Sequence, residues 1–226
     1  MYNIIKDLKI MDTIEEDIIF VESIPKYLQT KTTEVEIPEN NYIFTVDWFS
    51  YNIPIWTHYL NELKDKPNLH FLEIGSYQGR STVWLLENIL TNDTSTITCI
   101  DTFEHSLHFQ NDIKNLFDIF FHNISKFKNK VNIIKNNSQD ALKKINEQYD
   151  FIYINGDHKA SSVIENAILS FSLLKKGGIM IFDDYLLFEM KKYIDNPKIA
   201  IDAFLEIYAD KINILYKNHQ VIIEKL

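Results

Sequence analysis

From residue 69 onward, short β-branched or apolar runs alternate with longer amphipathic segments. That alternation admits few folds, because each helical segment must return the chain to a strand lying parallel to the last. The predicted strands are "LHFLEI" (69–74), "STITCID" (95–101), "VNIIK" (131–135), "DFIYI" (150–154) and "GIMIF" (178–182). Between them, "STVWLLENIL" (81–90), "QDALKKI" (139–145) and "SSVIENAILSFSLL" (161–174) carry apolar residues at i, i+3, i+4 spacing, as helices packed on a sheet require. A helix opened by proline, "PKIAIDAFLEIYA" (197–209), precedes "INILYK" and "QVIIEKL", which are separated by "NH" and read as a hairpin. The expected fold is α/β, a Rossmann-like, doubly wound, mostly parallel seven-stranded sheet whose last strand is antiparallel.

Residues 1–68 read as an N-terminal extension and helical, aromatic cap, and 69–226 as one ligand-binding unit. Within the first segment, "TVDWFSYNIPIWTHYLNEL" (45–63) is too polar for a strand of the main sheet. It either folds over the sheet edge or lets Trp48 and Trp56 seal the core, and it serves equally well as a homo-oligomer interface. No apolar run approaches the roughly 18 residues needed to span a bilayer, and the start lacks the basic and apolar regions of a signal peptide. A cytoplasmic protein with no membrane partner is therefore expected. The single cysteine, Cys99, lies in an apolar run and reads as core packing. With 23 Lys and Arg against 32 Asp and Glu, the formal charge is −9, and no basic stripe interleaves with aromatics. Such a surface disfavours nucleic acid as a partner.

The five glycines are confined to three places, Gly75 with Gly79, Gly156, and Gly177 with Gly178. These fall at strand ends, and open parallel sheets bind ligands outside the carboxyl ends of their strands. In "FLEIGSYQGRST" (71–82), Gly75 permits a tight turn, Gly79 is expected to let the backbone approach a ligand, and Ser81 or Thr82 to cap the helix. The E-x-G-x-x-x-G spacing differs from the dinucleotide fingerprint and from a phosphate-binding loop, which disfavours a pyrophosphate cradle. Asp101 ends the second strand 22 residues beyond Gly79. Its carboxylate can accept the two hydroxyls of a ribose or cap the following segment.

Together these motifs resemble class I S-adenosylmethionine-dependent methyltransferases. More narrowly they resemble the macrocin-type sugar O-methyltransferases, a family-24-like branch, and more distantly catechol O-methyltransferase. The residues that carry the resemblance are "FLEIGSYQGRST", "ITCIDTFE", "NNSQDAL" (136–142), "FIYINGDHKASSV" and "LLKKGGIMIFDDY", and it extends over residues 44 to 226. It implies S-adenosylmethionine as cofactor, with Glu73 and Gly75 near its methionine part, Asp101 on the ribose, and Ser138 with Gln139 beside the adenine. Ser76, Gly79, Ser81, Thr102 and Asn155 complete the implied cofactor-binding set.

The resemblance further implies Mg²⁺ held by Asn155, Asp183 and Asp184. Asn155 departs from the acid expected there, and a neutral ligand weakens a Mg²⁺ site unless Asp157 takes over. Two adjacent acids after an apolar strand also call for a cation as partner. His158, then Asp157, are the candidate bases for removing a hydroxyl proton. The implied acceptor is a small molecule, a sugar or glycosylated metabolite, enclosed by "TVDWFSYNIPIW", "TFEHSLHF" (102–109) and "YLLFEMKKYIDN" (185–196). Two other readings stand beside it: a nicotinamide-dependent oxidoreductase on the same scaffold, and a catalytically silent cofactor-binding module in glycan assembly.

Overall fold

The computed structural model of the protein describes residues 42–104, 116–187 and 192–226. Residues 1–41, part of the "TFEHSLHF" loop and part of the "YLLFEMKKYIDN" loop lie outside the described residues. In chain order the elements are α1 (Ile53–Leu60), β1 (His70–Ile74), α2 (Arg80–Asn88), β2 (Thr96–Asp101), α3 (Leu116–Ile124), β3 (Val131–Lys135) and α4 (Ser138–Leu142). They continue with β4 (Tyr149–Ile154), α5 (Ala160–Leu173), β5 (Leu174–Phe182), α6 (Pro197–Ile207), β6 (Ile212–Lys217) and β7 (Val221–Lys225).

The strands form one seven-stranded sheet in the order β3-β2-β1-β4-β5-β7-β6. Strands β1 to β5 pair in parallel, and β7 runs antiparallel to both β5 and β6. The last strand is thus the antiparallel one, as expected, and it is inserted between β5 and β6. Chain order reverses beside β1, where β2 lies on one side and β4 on the other, and a parallel sheet opens a crevice at such a point.

Period-two alternation builds two cores. Leu72, Ile74, Ile152, Ile154, Met180 and Phe182 face α5 and α6, whereas Phe71, Cys99, Phe151, Tyr153 and Ile181 face α1, α2 and α3. Strands covered on both faces read as continuous apolar runs, which is why these segments stand out in the sequence. Helix α3, "LFDIFFHNI", was not among the expected helices, yet its Leu116, Phe120 and Ile124 supply a buried i, i+4, i+8 stripe. Strand β5 begins four residues earlier than expected. Helix α5 runs straight into it, and Gly177, at φ +72°, lies with Gly178 within the strand at a register shift against β4, so this third glycine place does not fall at a strand end as expected.

The two tryptophans of the aromatic segment have different fates. Trp56, on α1, is fully buried and meets Tyr153 and Phe49 edge-on, with ring centroids 4.7 and 4.8 Å apart. Truncating so buried an aromatic costs about 3–5 kcal/mol, so α1 is part of the core. Trp48 is 44% exposed and leans on Tyr77. Among the described residues, no helix is long and apolar enough to cross a membrane.

Candidate active site

The glycine-containing turn leaves β1 at Gly75, whose N–H donates to the Ile100 carbonyl at 2.8 Å. Gly75 has φ +85°, and a Cβ there would lie 1.9 Å from the carbonyl oxygen of Asn155. The backbones of the β1 and β4 ends therefore touch, and only glycine fits. Gly79, at φ +81°, precedes α2. A Cβ there would meet the Phe120 ring at 2.9 Å. This corrects the expected reason for Gly79, because the space it leaves is filled by α3 and not by open ligand volume.

The start of α2 has no side-chain cap, contrary to the expectation for Ser81 or Thr82. Both hydroxyls instead donate to Glu73, one to each carboxylate oxygen. Glu73 is fully buried between β1 and α2, and burial raises its pKa against the lowering effect of those hydroxyls. A buried acceptor must be satisfied, and the first turn of α2 holds the nearest donors. The structure thus places Glu73 and Ser81 behind the turn, bonded to each other. Ser76 is also buried, and its hydroxyl faces Glu73, whose pKa it helps to lower.

Asp101 sits at the carboxyl end of β2, in front of the turn. Its two oxygens accept the N–H groups of Tyr77 at 2.8 Å and Phe103 at 2.7 Å. Burial raises its pKa despite these bonds. Thr102 accepts the Glu104 N–H at 3.3 Å. The Asp101 carbonyl accepts the N–H of Asn136 at 3.1 Å, which draws the β3–α4 turn alongside. Ser138 and Gln139 open α4 there, and Asn137, which the sequence reading passed over, caps it by accepting the Gln139 N–H at 3.0 Å. Gly75 to Gly79, Asp101, Ser138 and Gln139 are therefore gathered at the ends of three adjacent strands, β1, β2 and β3.

On the other side of β1, a small cleft is lined by Asn155, Gly156, Asp157, His158, Asp183 and Asp184 among others. Asp183 is buried at the end of β5. It accepts the Tyr153 hydroxyl on one oxygen, and on the other the Gln220 side-chain amide at 3.1 Å and the Asp184 N–H at 3.0 Å. Gln220 in turn accepts the Trp56 indole N–H at 2.9 Å. Asp184, at φ +59°, lies 3.2 Å from His158 Nε2. Asp157 accepts the Lys159 N–H at 3.3 Å and the Ser162 hydroxyl at 2.8 Å, which closes the first turn of α5.

These contacts revise the expectation that the adjacent acids need a metal. Neutral donors satisfy Asp183, and His158 partners Asp184. Among the described residues, no group of three or more His, Cys, Asp or Glu comes together as a metal-holding cluster. Mg²⁺ favours several open oxygen ligands, and a donor set so engaged does not fit it. Tyr153 and Gln220 escaped the sequence reading because their meeting depends on long-range pairing, whereas Trp56, expected to seal the core, does so and also donates to Gln220.

Comparison with known proteins bears on this geometry. A protein of Acanthamoeba polyphaga mimivirus, named only as uncharacterized protein R132, is 30% identical over 128 residues, covering 54% of this chain and 53% of its own. The chain thus spans about half the length of that relative. Among solved structures, an O-methyltransferase from Bacillus cereus in complex with S-adenosylhomocysteine has a TM-score of 0.58 at 16% identity, over 95% of this chain and 91% of its own. An rRNA methylase from Streptococcus thermophilus has a TM-score of 0.56 at 12% identity, over 80% and 99%. MycE, a methyltransferase of the mycinamycin biosynthetic pathway solved with Mg, S-adenosylhomocysteine and mycinamycin VI, has a TM-score of 0.55 at 14% identity, over 80% and 50%. At such identities these structures establish the shared fold. The family assignment comes from a model described as "Methyltransferase domain", which matches residues 72–185, and the chain belongs to that family.

Proposed function

We propose that the protein transfers the methyl group of S-adenosylmethionine to a hydroxyl of a small molecule, a sugar or glycosylated metabolite. The observation that carries this reading is the gathering of the Gly75–Gly79 turn, Asp101 and the Ser138–Gln139 turn at three neighbouring strand ends in a chain of the methyltransferase family. Such a row suits an adenosine laid across the crevice. Asp101 accepts the ribose hydroxyls, Ser138 and Gln139 border the adenine, Thr102 lies beside them, and the backbone from Gly75 to Gly79 faces the methionine end together with Ser76 and Asn155. Glu73 and Ser81 support this turn from behind.

When bound, S-adenosylmethionine supplies a methyl group on a sulfonium leaving group. His158 is the proposed base. His158 Nε2 lies 3.2 Å from Asp184, and in this reading the imidazole accepts the proton of the acceptor hydroxyl. The bound cofactor would give its methyl carbon to the hydroxyl oxygen with its sulfur as leaving group, while Asp184 stabilises the imidazolium of His158. Asp157, engaged in the first turn of α5, is the weaker candidate. A metal-assisted variant draws on the Mg in the MycE structure, but Asp183 and Asp184 are engaged by Tyr153, Gln220 and His158, a donor set that does not fit Mg²⁺.

A sugar acceptor is favoured by the resemblance of the strand-end motifs, and a small molecule over RNA by the net charge of −9. The test is calorimetric titration with S-adenosylmethionine and with NAD, followed by labelled-methyl transfer to a panel of nucleotide sugars, glycosylated small molecules and RNA. Binding of NAD alone would overturn the reading. Cofactor binding without transfer to any acceptor would favour the silent module. Transfer that stops in EDTA and returns with Mg²⁺ would restore the metal.

A further inference from the structure

The segment 42–50 is laced to the cofactor turn by two buried side-chain amides. Gln78, within the turn and 2% exposed, accepts the Thr45 N–H and donates to the Thr45 hydroxyl, both at 2.8 Å. Asn123, on α3 and 1% exposed, accepts the Ile43 N–H at 2.7 Å and donates to the carbonyls of Ile43 and Gln78, both at 2.8 Å. Arg80 and Asp47 add an ion pair at 3.4 Å. Three pieces of chain far apart in sequence thus meet on two amides, and each amide spends its hydrogen bonds on backbone or side chain of another piece. Buried amides are costly unless satisfied, so segment and turn hold their shapes together.

The turn needs such support. Gly75, Tyr77 and Gly79 all have positive φ, and Tyr77, at +49°, does so without being glycine. A residue held there persists when its surroundings over-determine it. The Tyr77 N–H is also the donor that reaches Asp101. The lacing therefore bears on the carboxylate assigned to the ribose as well as on the turn assigned to methionine.

We propose that Gln78 and Asn123 are positioning residues for the cofactor, through which docking of segment 42–50 and binding of S-adenosylmethionine reinforce each other. The proposal rests on the methyl-transfer reading of the site. Linkage makes the coupling reciprocal: whatever the docked segment adds to cofactor affinity, bound cofactor returns as stability of the segment.

Hydrogen exchange on the full chain, with and without saturating S-adenosylhomocysteine, tests it without a mutation. The Ile43 and Thr45 amides, which donate to the two side chains, should exchange at least about 5-fold more slowly with ligand, the scale of a modest coupling energy. Unchanged exchange at both amides, in a sample where titration confirms binding, would overturn the coupling. Thr45→Val removes one acceptor at nearly constant shape, and Asn123→Ala removes the lacing to Ile43. Each should weaken S-adenosylhomocysteine binding by about 5- to 10-fold, the scale of one lost buried hydrogen bond. Parental affinity in folded Thr45→Val would also overturn it, whether or not Asn123→Ala folds. Failure of the parent to bind S-adenosylhomocysteine at all would instead bring down the methyl-transfer reading, and the coupling with it.

Discussion

Asp183→Ala separates a carboxylate that holds the fold from one that holds a metal. In the structure Asp183 receives three donors, the Tyr153 hydroxyl, the Gln220 amide and the Asp184 N–H. Tyr153 and Gln220 are at most 1% exposed, so water cannot replace the lost acceptor for either. Each orphaned donor costs about 1–3 kcal/mol. Asp184 is half-buried at the cleft, where water can serve its N–H. Loss of the carboxylate also relieves its own desolvation, which offsets part of the total and leaves an expected loss of about 3 kcal/mol. At about 2–4 °C per kcal/mol for a chain of this size, Tm should fall by about 6–12 °C. The assay is thermal unfolding followed by circular dichroism, with and without EDTA, in parent and variant. The fall should be the same in both buffers. Refutation would be a variant that melts within about 2 °C of the parent in EDTA but lacks a Mg²⁺-dependent stabilisation that the parent shows. In that case Asp183 would be a ligand, and the Tyr153–Gln220 bonds incidental.

Further expectations follow from the same geometry. Asp101→Ala should weaken S-adenosylmethionine binding by about 1.5–3 kcal/mol, roughly 10- to 150-fold, read by calorimetry on the folded variant; unchanged affinity would remove Asp101 from the site. Glu73→Gln should stabilise the protein at neutral pH, because burial raises the Glu73 pKa in the folded state. An acid with a raised folded pKa favours folding below its unfolded value, near 4.5, and loses that contribution as pH rises to the folded value. The Tm advantage of the amide should therefore be small below about pH 4.5 and grow above it, and a pH-independent difference would contradict the linkage. His158→Ala should lower kcat by about 10²–10⁴-fold with cofactor affinity nearly unchanged, measured once an acceptor is in hand; a fall of less than 3-fold, well below about 10², would rule it out as the base.

Much of the fold was legible because its parallel strands are buried on both faces, and runs such as "FIYI" and "IMIF" cannot be mistaken for loops. Helix α3 was not read, since its phenylalanines acquire their meaning only against Gly79 and Phe103. The position of β7 was equally hidden: a hairpin can be seen in "INILYK" and "QVIIEKL", but which of its strands enters the sheet beside β5 depends on pairing across the whole domain. In the site, Asp101 lies at the end of its strand as read, because strand termini are local features.

The amino-acid sequence by itself determined the α/β class and the strand ends where a ligand can lie. Both follow from short-range periodicity. Only the tertiary structure decided what the polar residues do once there. Glu73 turns inward to Ser81 and Thr82, Gly79 makes room for Phe120, Asp183 is satisfied by Tyr153 and Gln220, and Gln78 holds Thr45. The physical reason is common to all four. A buried polar group or a missing Cβ is answered by whichever atoms the fold brings within about 3 Å, the reach of a hydrogen bond, and those atoms come from distant segments of the chain.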